Sequence, residues 1–126
     1  MPSIRIPCST ANMGAGFDCI GMALALYNEI EFEVCEQGLF IDVGETQGLP
    51  IASDERNLVY RSIKRALEVT GTPVPGLRIR QVNRIPQTRG LGSSSACIVG
   101  GIIAANLISG GRLSMDDMIA IAADIE

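Results

Sequence analysis

Histidine is absent from the 126 residues, and so is tryptophan. Without imidazole there is no Ser-His-Asp or Cys-His nucleophile and no metal site built on histidine. Aromatic residues make up 4% of the chain, too few for a surface that stacks bases. Cationic charge is short as well. Ten Lys plus Arg stand against fourteen Asp plus Glu, a net charge of −4, whereas a duplex-DNA binder needs a cationic face. The cysteines are Cys8, Cys19, Cys35 and Cys97, and no two form a Cys-x-x-Cys pair. That argues against a zinc site or a thioredoxin-like motif, and for reduced, mostly buried thiols. The longest apolar stretch, Ala96 to Ile108, is broken by Gly100, Gly101 and Asn106 and is too short to span a bilayer. The N-terminus alternates apolar and polar residues, which is not the pattern of a secretory signal. The expectation is a cytoplasmic protein that binds neither nucleic acid nor membrane.

What is present is an ordinary globular balance, 47% hydrophobic and 19% charged, at a length suited to one domain. Ser3 to Ile6 alternates and reads as a short strand ending at Pro7, followed by a loop from Ser9 to Asp18. Ile20 to Leu26 and Asn28 to Cys35 read as two strands. In the second, Ile30, Phe32 and Val34 face one way and Glu29, Glu31 and Glu33 the other. Gln37-Gly38 is a turn before a strand at Leu39 to Val43, and so short a connection predicts a hairpin. Gly44 to Glu55 is a polar connection. Arg56 to Thr70 has helical periodicity, with Leu58, Val59, Ile63, Ala66 and Leu67 on one face, Gly71 as its stop and Pro73 beyond.

Leu77 to Val82 alternates again, with Leu77, Ile79 and Gln81 on one face. Ser93 to Ile108 is apolar nearly all round, the pattern of a helix buried in the middle of a domain, and Gly110-Gly111 ends it. Ser114-x-x-Asp117 resembles a capping box for a last helix whose apolar face is Met118, Ile119, Ala122 and Ile125. No stop signal closes that helix, and its apolar stripe is still running at Glu126. The expectation is therefore the N-terminal piece of a longer protein.

The strongest chemical signal is the run Pro86-Gln87-Thr88-Arg89-Gly90-Leu91-Gly92-Ser93-Ser94-Ser95-Ala96. Gly90 and Gly92 let backbone approach a ligand closely, and the start of an apolar helix offers free N–H groups and the positive end of its dipole. The serine hydroxyls add donors and can coordinate Mg2+. The run fits a polyphosphate site; it equally fits a glycine turn with a serine N-cap. No Gly-Lys-Ser/Thr follows, so it is not a Walker A loop. The second signal is Asn12-Met13-Gly14-Ala15-Gly16-Phe17-Asp18. Asn12 can donate and accept and Asp18 can pair with an ammonium, or both can simply satisfy their own turn. Glu126, on residues alone, is a solvated carboxylate.

Together these stretches resemble the homoserine kinases of the GHMP family of small-molecule kinases. The family's phosphate motif runs Pro, three residues, Gly-Leu-Gly-Ser-Ser and then small residues, and stands here as Pro86 to Ala96. The more discriminating stretch is Cys8-Ser9-Thr10-Ala11-Asn12-Met13-Gly14-Ala15-Gly16-Phe17-Asp18, followed by Gly21 and Tyr27-Asn28. The resemblance implies an α+β fold like domain 2 of ribosomal protein S5, with a left-handed β-α-β crossover. Residues 1–126 would be a GHMP kinase N-terminal ATP-binding domain, with the C-terminal domain absent. It implies transfer of the γ-phosphoryl of ATP, with Mg2+, to the side-chain hydroxyl of L-homoserine, a step of threonine biosynthesis. Carried over by position, Pro86, Arg89, Gly90, Leu91, Gly92, Ser93, Ser94, Ser95 and Ala96 hold the nucleotide phosphates. Asn57 meets the adenine, Asn12 and Asp18 hold homoserine, and Ser94 and Glu126 hold Mg2+.

Met13, Ala15 and Ser95 depart from the family's usual Leu, Pro and small apolar residue. The alternatives are an inactive nucleotide-binding fragment or a sister GHMP kinase such as mevalonate kinase. A homodimer is compatible with the longer enzyme.

Overall fold

The computed structural model describes residues 3–10, 22–44, 51–83 and 93–125. Strands β1 (Ser3–Thr10), β2 (Met22–Cys35), β3 (Leu39–Val43) and β4 (Gly76–Asn83) form a mixed sheet in the order β1-β2-β4-β3. Helices α1 (Leu58–Thr70), α2 (Ser93–Ile108) and α3 (Met115–Ile125) complete the described chain. The core lies between one sheet face and the helices. Ile4, Ile30, Phe32, Leu77 and Ile79 enter it from the sheet, Val59, Ile63 and Leu67 from α1, and Ile98 and Ile102 from α2. No helix among the described residues is long and apolar enough to cross a membrane.

The expected hairpin does not form. β4 lies between β2 and β3, antiparallel to β2 and parallel to β3, and α1 makes the β-α-β crossover from β3 to β4. The outer face favours this order. Glu31 and Glu33 of β2 stand opposite Arg80 and Arg78 of β4, and Asp42 of β3 stands opposite Arg80 from the other side. Opposite charges in register contribute roughly 0.2–1 kcal/mol each, and like charges in register repel. A β2–β3 hairpin would take Glu31 and Glu33 away from Arg80 and Arg78. Arg78 also sits over the Phe40 ring, 5.4 Å from its centre. The turn between β2 and β3 is pinned to β4 instead: Gly38 has φ 96° and its carbonyl accepts from the Leu77 N–H at 3.0 Å.

Three other boundaries differ from the sequence pattern. β1 continues through Pro7 to Thr10, because the register shifts at a bulge between Pro7 and Cys8 and a strand margin tolerates a residue without an N–H. The two strands read at 20–26 and 28–35 are one strand, β2. On α3 the buried residue is Ile121, with Met118, Ala122 and Ile125 half-buried beside it, while Ile119 is 60% exposed. Three of the four expected positions therefore lie on the buried side, and Ile121 takes the place of Ile119.

The helix ends follow their signals. Gly71 closes α1 at φ 72°, its N–H bonding Glu68 O while the Thr72 N–H bonds Leu67 O. Ser114 Oγ accepts from the Asp117 N–H at 3.1 Å and Asp117 Oδ2 accepts from the Ser114 N–H at 3.0 Å, a reciprocal box that holds the Asp117 carboxyl below its ordinary pKa. Between α2 and α3, Asn106 Oδ1 accepts from the Leu113 N–H at 2.9 Å, so the residue that interrupts the apolar run secures the turn after it.

The two glycines inside α2 have a packing cause. A Cβ on Gly100 would lie 2.4 Å from Ile30 Cδ1, and one on Gly101 would lie 2.7 Å from both Ser62 Cβ and the Val59 carbonyl oxygen. Gly100 thus seats α2 on the sheet and Gly101 seats it on α1. Cys97, Ala104 and Ala105, all buried, extend the same small-residue strip one turn in each direction. Ala at either glycine gains about 1 kcal/mol of helix propensity. Overpacking costs about 1–3 kcal/mol, more where the obstacle is backbone that cannot rotate away. Gly101→Ala is therefore expected to lower the urea midpoint clearly, and Gly100→Ala, which meets the end of an isoleucine, to lower it less. Equal midpoints for both variants and the parent chain would show that α2 does not need this approach.

Candidate functional site

β1, β3 and β4 all end, and β2 begins, at one end of the sheet: Thr10 pairs with Met22, Asn83 with Asn28, and Val43 with Gln81. The start of α1 is tied to the same end through Asn57 and Gln81. The start of α2 is tied there through Cys97, one turn into the helix. The described residues that flank the segments 11–21, 45–50 and 84–92 therefore lie toward this end. Asn12, Asp18, Pro86, Arg89, Gly90, Leu91 and Gly92 belong to two of those segments and lie outside the described residues, as does Glu126. α3 returns toward the start of α1: Asp124 pairs with Arg65 at 3.0 Å, and Ile125 lines an open groove of about 670 Å3 with Tyr60, Arg61 and Lys64.

Ser93 and Ser94 begin α2, Ser95 is half-buried in its first turn, and Ala96, Cys97 and Ile98 are buried. The first turn of α2 holds no acidic residue. Its partial positive charge, roughly half an elementary charge, therefore meets no carboxylate from its own turn, which suits an anionic ligand. No cluster of metal-ligating side chains occurs among the described residues.

Asn57, the residue expected to meet the adenine, stands at the start of α1. It is 1% exposed and caps α1. Its Oδ1 accepts from the Tyr60 N–H at 3.1 Å, and its Nδ2 donates to Ala52 O at 2.8 Å and to Gln81 Oε1 at 2.9 Å. Gln81, 2% exposed, donates through Nε2 to Cys97 Sγ at 3.5 Å, and Asn28 Nδ2 makes a longer contact with the same sulfur at 4.0 Å. A buried polar chain thus runs from the segment before α1, through the middle of the sheet, to α2. Sequence pattern puts Gln81 on the inward face of its strand but gives no partner for it; a glutamine between Ile79 and the next inward position was the available sign.

Just before α1, Arg56 donates to the Asp54 carboxylate through Nε and Nη2, at 2.8 to 3.2 Å. Chiefly through that side-chain bond, Asp54 falls from 3.8 to about 2.

The family model for the GHMP kinases N terminal domain matches residues 57–126. Over all 126 residues the chain is 54% identical to the homoserine kinase of Caldicellulosiruptor bescii, and covers 41% of that protein. A crystal structure of homoserine kinase from Cytophaga hutchinsonii superposes with a TM-score of 0.79 at 29% identity, over 98% of this chain and 40% of that one. A mevalonate kinase structure superposes at 0.78 and 21% identity, over 100% of this chain and 46% of that one, which shows the shared fold alone. The chain spans about two-fifths of the length of the curated relatives it matches.

Two outcomes are expected from this geometry. Asn57→Ala removes a cap, worth about 1 kcal/mol, and strips the donor from two carbonyl oxygens. Chemical denaturation should show a loss of about 2–4 kcal/mol, and a loss below about 0.5 kcal/mol would remove the buried chain as a stabilising feature. Arg56→Gln should return the Asp54 midpoint, read by NMR, from about 2 toward 3.8. Because the folded pKa is depressed, the contribution of this pair is present above pH 4 or so and fades as pH falls toward the folded midpoint.

Proposed function

The chain belongs to the GHMP kinases, matching their N-terminal domain, and from that membership we propose that it forms the nucleotide-binding part of a homoserine kinase. In this reading the longer protein transfers the γ-phosphoryl of ATP to the side-chain hydroxyl of L-homoserine, in the cytoplasm, as a step of threonine biosynthesis. The observation that carries the kinase reading is α2: an uncharged helix that starts directly after Gly90-Leu91-Gly92, with no acidic residue in its first turn. The choice of homoserine rests on the 54% identity over the whole chain, because the fold itself is shared with a mevalonate kinase.

Phosphoryl transfer needs positioning and charge stabilisation more than covalent help. The chain has no histidine to serve as a base. We assign the backbone from Gly90 to Ser94, with Pro86, Arg89, Leu91, Ser95 and Ala96 shaping the segment, to hold the polyphosphate. Ser94 and Glu126 would hold Mg2+, whose charge offsets that of the phosphates. Asn12 and Asp18 hold homoserine with its hydroxyl in line, Asp18 taking the amino group. Asn57, whose side-chain hydrogen bonds are engaged inside the protein, serves the adenine side by fixing the chain at Ala52 and the start of α1.

A coupled ADP-release assay on the longer enzyme tests this reading. Release is expected only with homoserine; release driven by mevalonate instead, or none with either alcohol, overturns the assignment. Asp18→Asn should raise the KM for homoserine tenfold or more and leave that for ATP within about twofold. Ser94→Ala should lower kcat by roughly tenfold or more, and an unchanged kcat would take Ser94 out of the site.

A further inference from the structure

Helix α2 poses a problem of orientation. It is apolar nearly all round, so burial by itself gives little preference for one rotation about its axis over another. Gly100 and Gly101 set the face that meets Ile30, Ser62 and Val59, but that contact lies two turns into the helix, beyond its first turn. The N–H groups of the first turn nevertheless have to keep a fixed aim if they are to hold a phosphate. The one polar lock on α2 from the sheet among the described hydrogen bonds is at Cys97, whose sulfur accepts from Gln81 Nε2 at 3.5 Å and lies 4.0 Å from Asn28 Nδ2. Cys97 stands four residues after Ser93, on the same side of the helix and one turn below it. A rotation released at Cys97 therefore carries straight to the phosphate end.

We propose that Gln81 and Cys97 are positioning residues of the nucleotide site, setting the rotation of α2 so that its first-turn N–H groups point at the polyphosphate. Gln81 is the shared member: its Oε1 accepts from Asn57 Nδ2 at 2.9 Å while its Nε2 holds the sulfur. The start of α1 and the start of α2 thereby keep a fixed separation across β4. Neither residue touches the nucleotide, and both act through the helix. The inference rests on the reading of the α2 start as a phosphate site.

The test separates phosphate binding from nucleoside binding in the longer enzyme, by calorimetric titration with Mg-ADP and with adenosine, at a temperature where every variant is folded by circular dichroism. Cys97→Val keeps the volume and removes the acceptor; it is expected to weaken ADP tenfold or more while adenosine changes less than twofold. Cys97→Ser restores an acceptor and should hold ADP within about threefold of the parent. Cys97→Ala, the second variant in case Cys97→Val does not fold, should repeat the selective loss, whereas Gln81→Met, which also removes a partner of Asn57, should weaken both ligands and ADP the more. Equal ADP affinities for Cys97→Val and Cys97→Ser, or parallel losses of ADP and adenosine, would mean that these residues only stabilise the fold. A parent chain that binds adenosine but gains nothing from the diphosphate would remove the phosphate reading itself, and this proposal with it.

Discussion

The close approach of α2 is the constraint on which the rest of the structure depends. With Cys97, Gly100, Gly101, Ala104 and Ala105 on its inner side, α2 rests against Ile30 of the sheet and against Val59 and Ser62 of α1 at once. A larger residue at Gly101 would meet backbone. Because α2 touches both partners, the sheet and α1 share one core, with Ile30, Phe32, Ile63, Leu67, Leu77, Ile79 and Ile102 buried together. Two glycines in a helix interior cost about 2 kcal/mol of propensity, and the contacts they allow offset it.

Close packing sets which face of α2 turns inward, and the polar side chains in the core add a second restriction. Asn57, Gln81, Asn28 and Cys97 come from four different elements and meet through donors and acceptors that fit. Among the described residues no buried side-chain nitrogen or oxygen is left without a partner. Such a group is unforgiving, because a buried donor or acceptor left alone costs about 1–3 kcal/mol, and that penalty favours one arrangement of the four elements over its neighbours. The outer sheet face works at lower stakes: Glu31, Glu33, Arg78, Arg80 and Asp42 stabilise little individually, and their register, acid opposite base, favours the observed order. The core lock holds the start of α1 and the start of α2 to the end of the sheet at which β3 and β4 finish.

Local patterns were legible where the signal is local. The bounds of α2, the stop at Gly71, the box at Ser114 and Asp117, and the inward row Leu77, Ile79, Gln81 all follow from a few neighbouring residues. The phosphate segment and the Asn12 to Asp18 stretch were legible as motifs, and the kinase family followed from them. The hairpin was misread because turn length reports that two strands are near in sequence, and says nothing of a later strand that pairs better with both. Ile119 was misread because an apolar side chain on a short helix has two flanks to choose from, and only the position of α1 and α2 selects the one led by Ile121.

The amino-acid order by itself determined the elements, their caps and the chemical character of the phosphate segment, since each depends on interactions within about four residues or on strand alternation. Tertiary structure decided the strand order, the use of Gly100 and Gly101, and the fate of Asn57 and Gln81, since each depends on what lies across a contact between distant parts of the chain. Asn57 shows the difference most plainly. Its sequence context marks the start of a helix, and only the arrival of Gln81 from β4, 24 positions later, makes it part of the lock that holds α2.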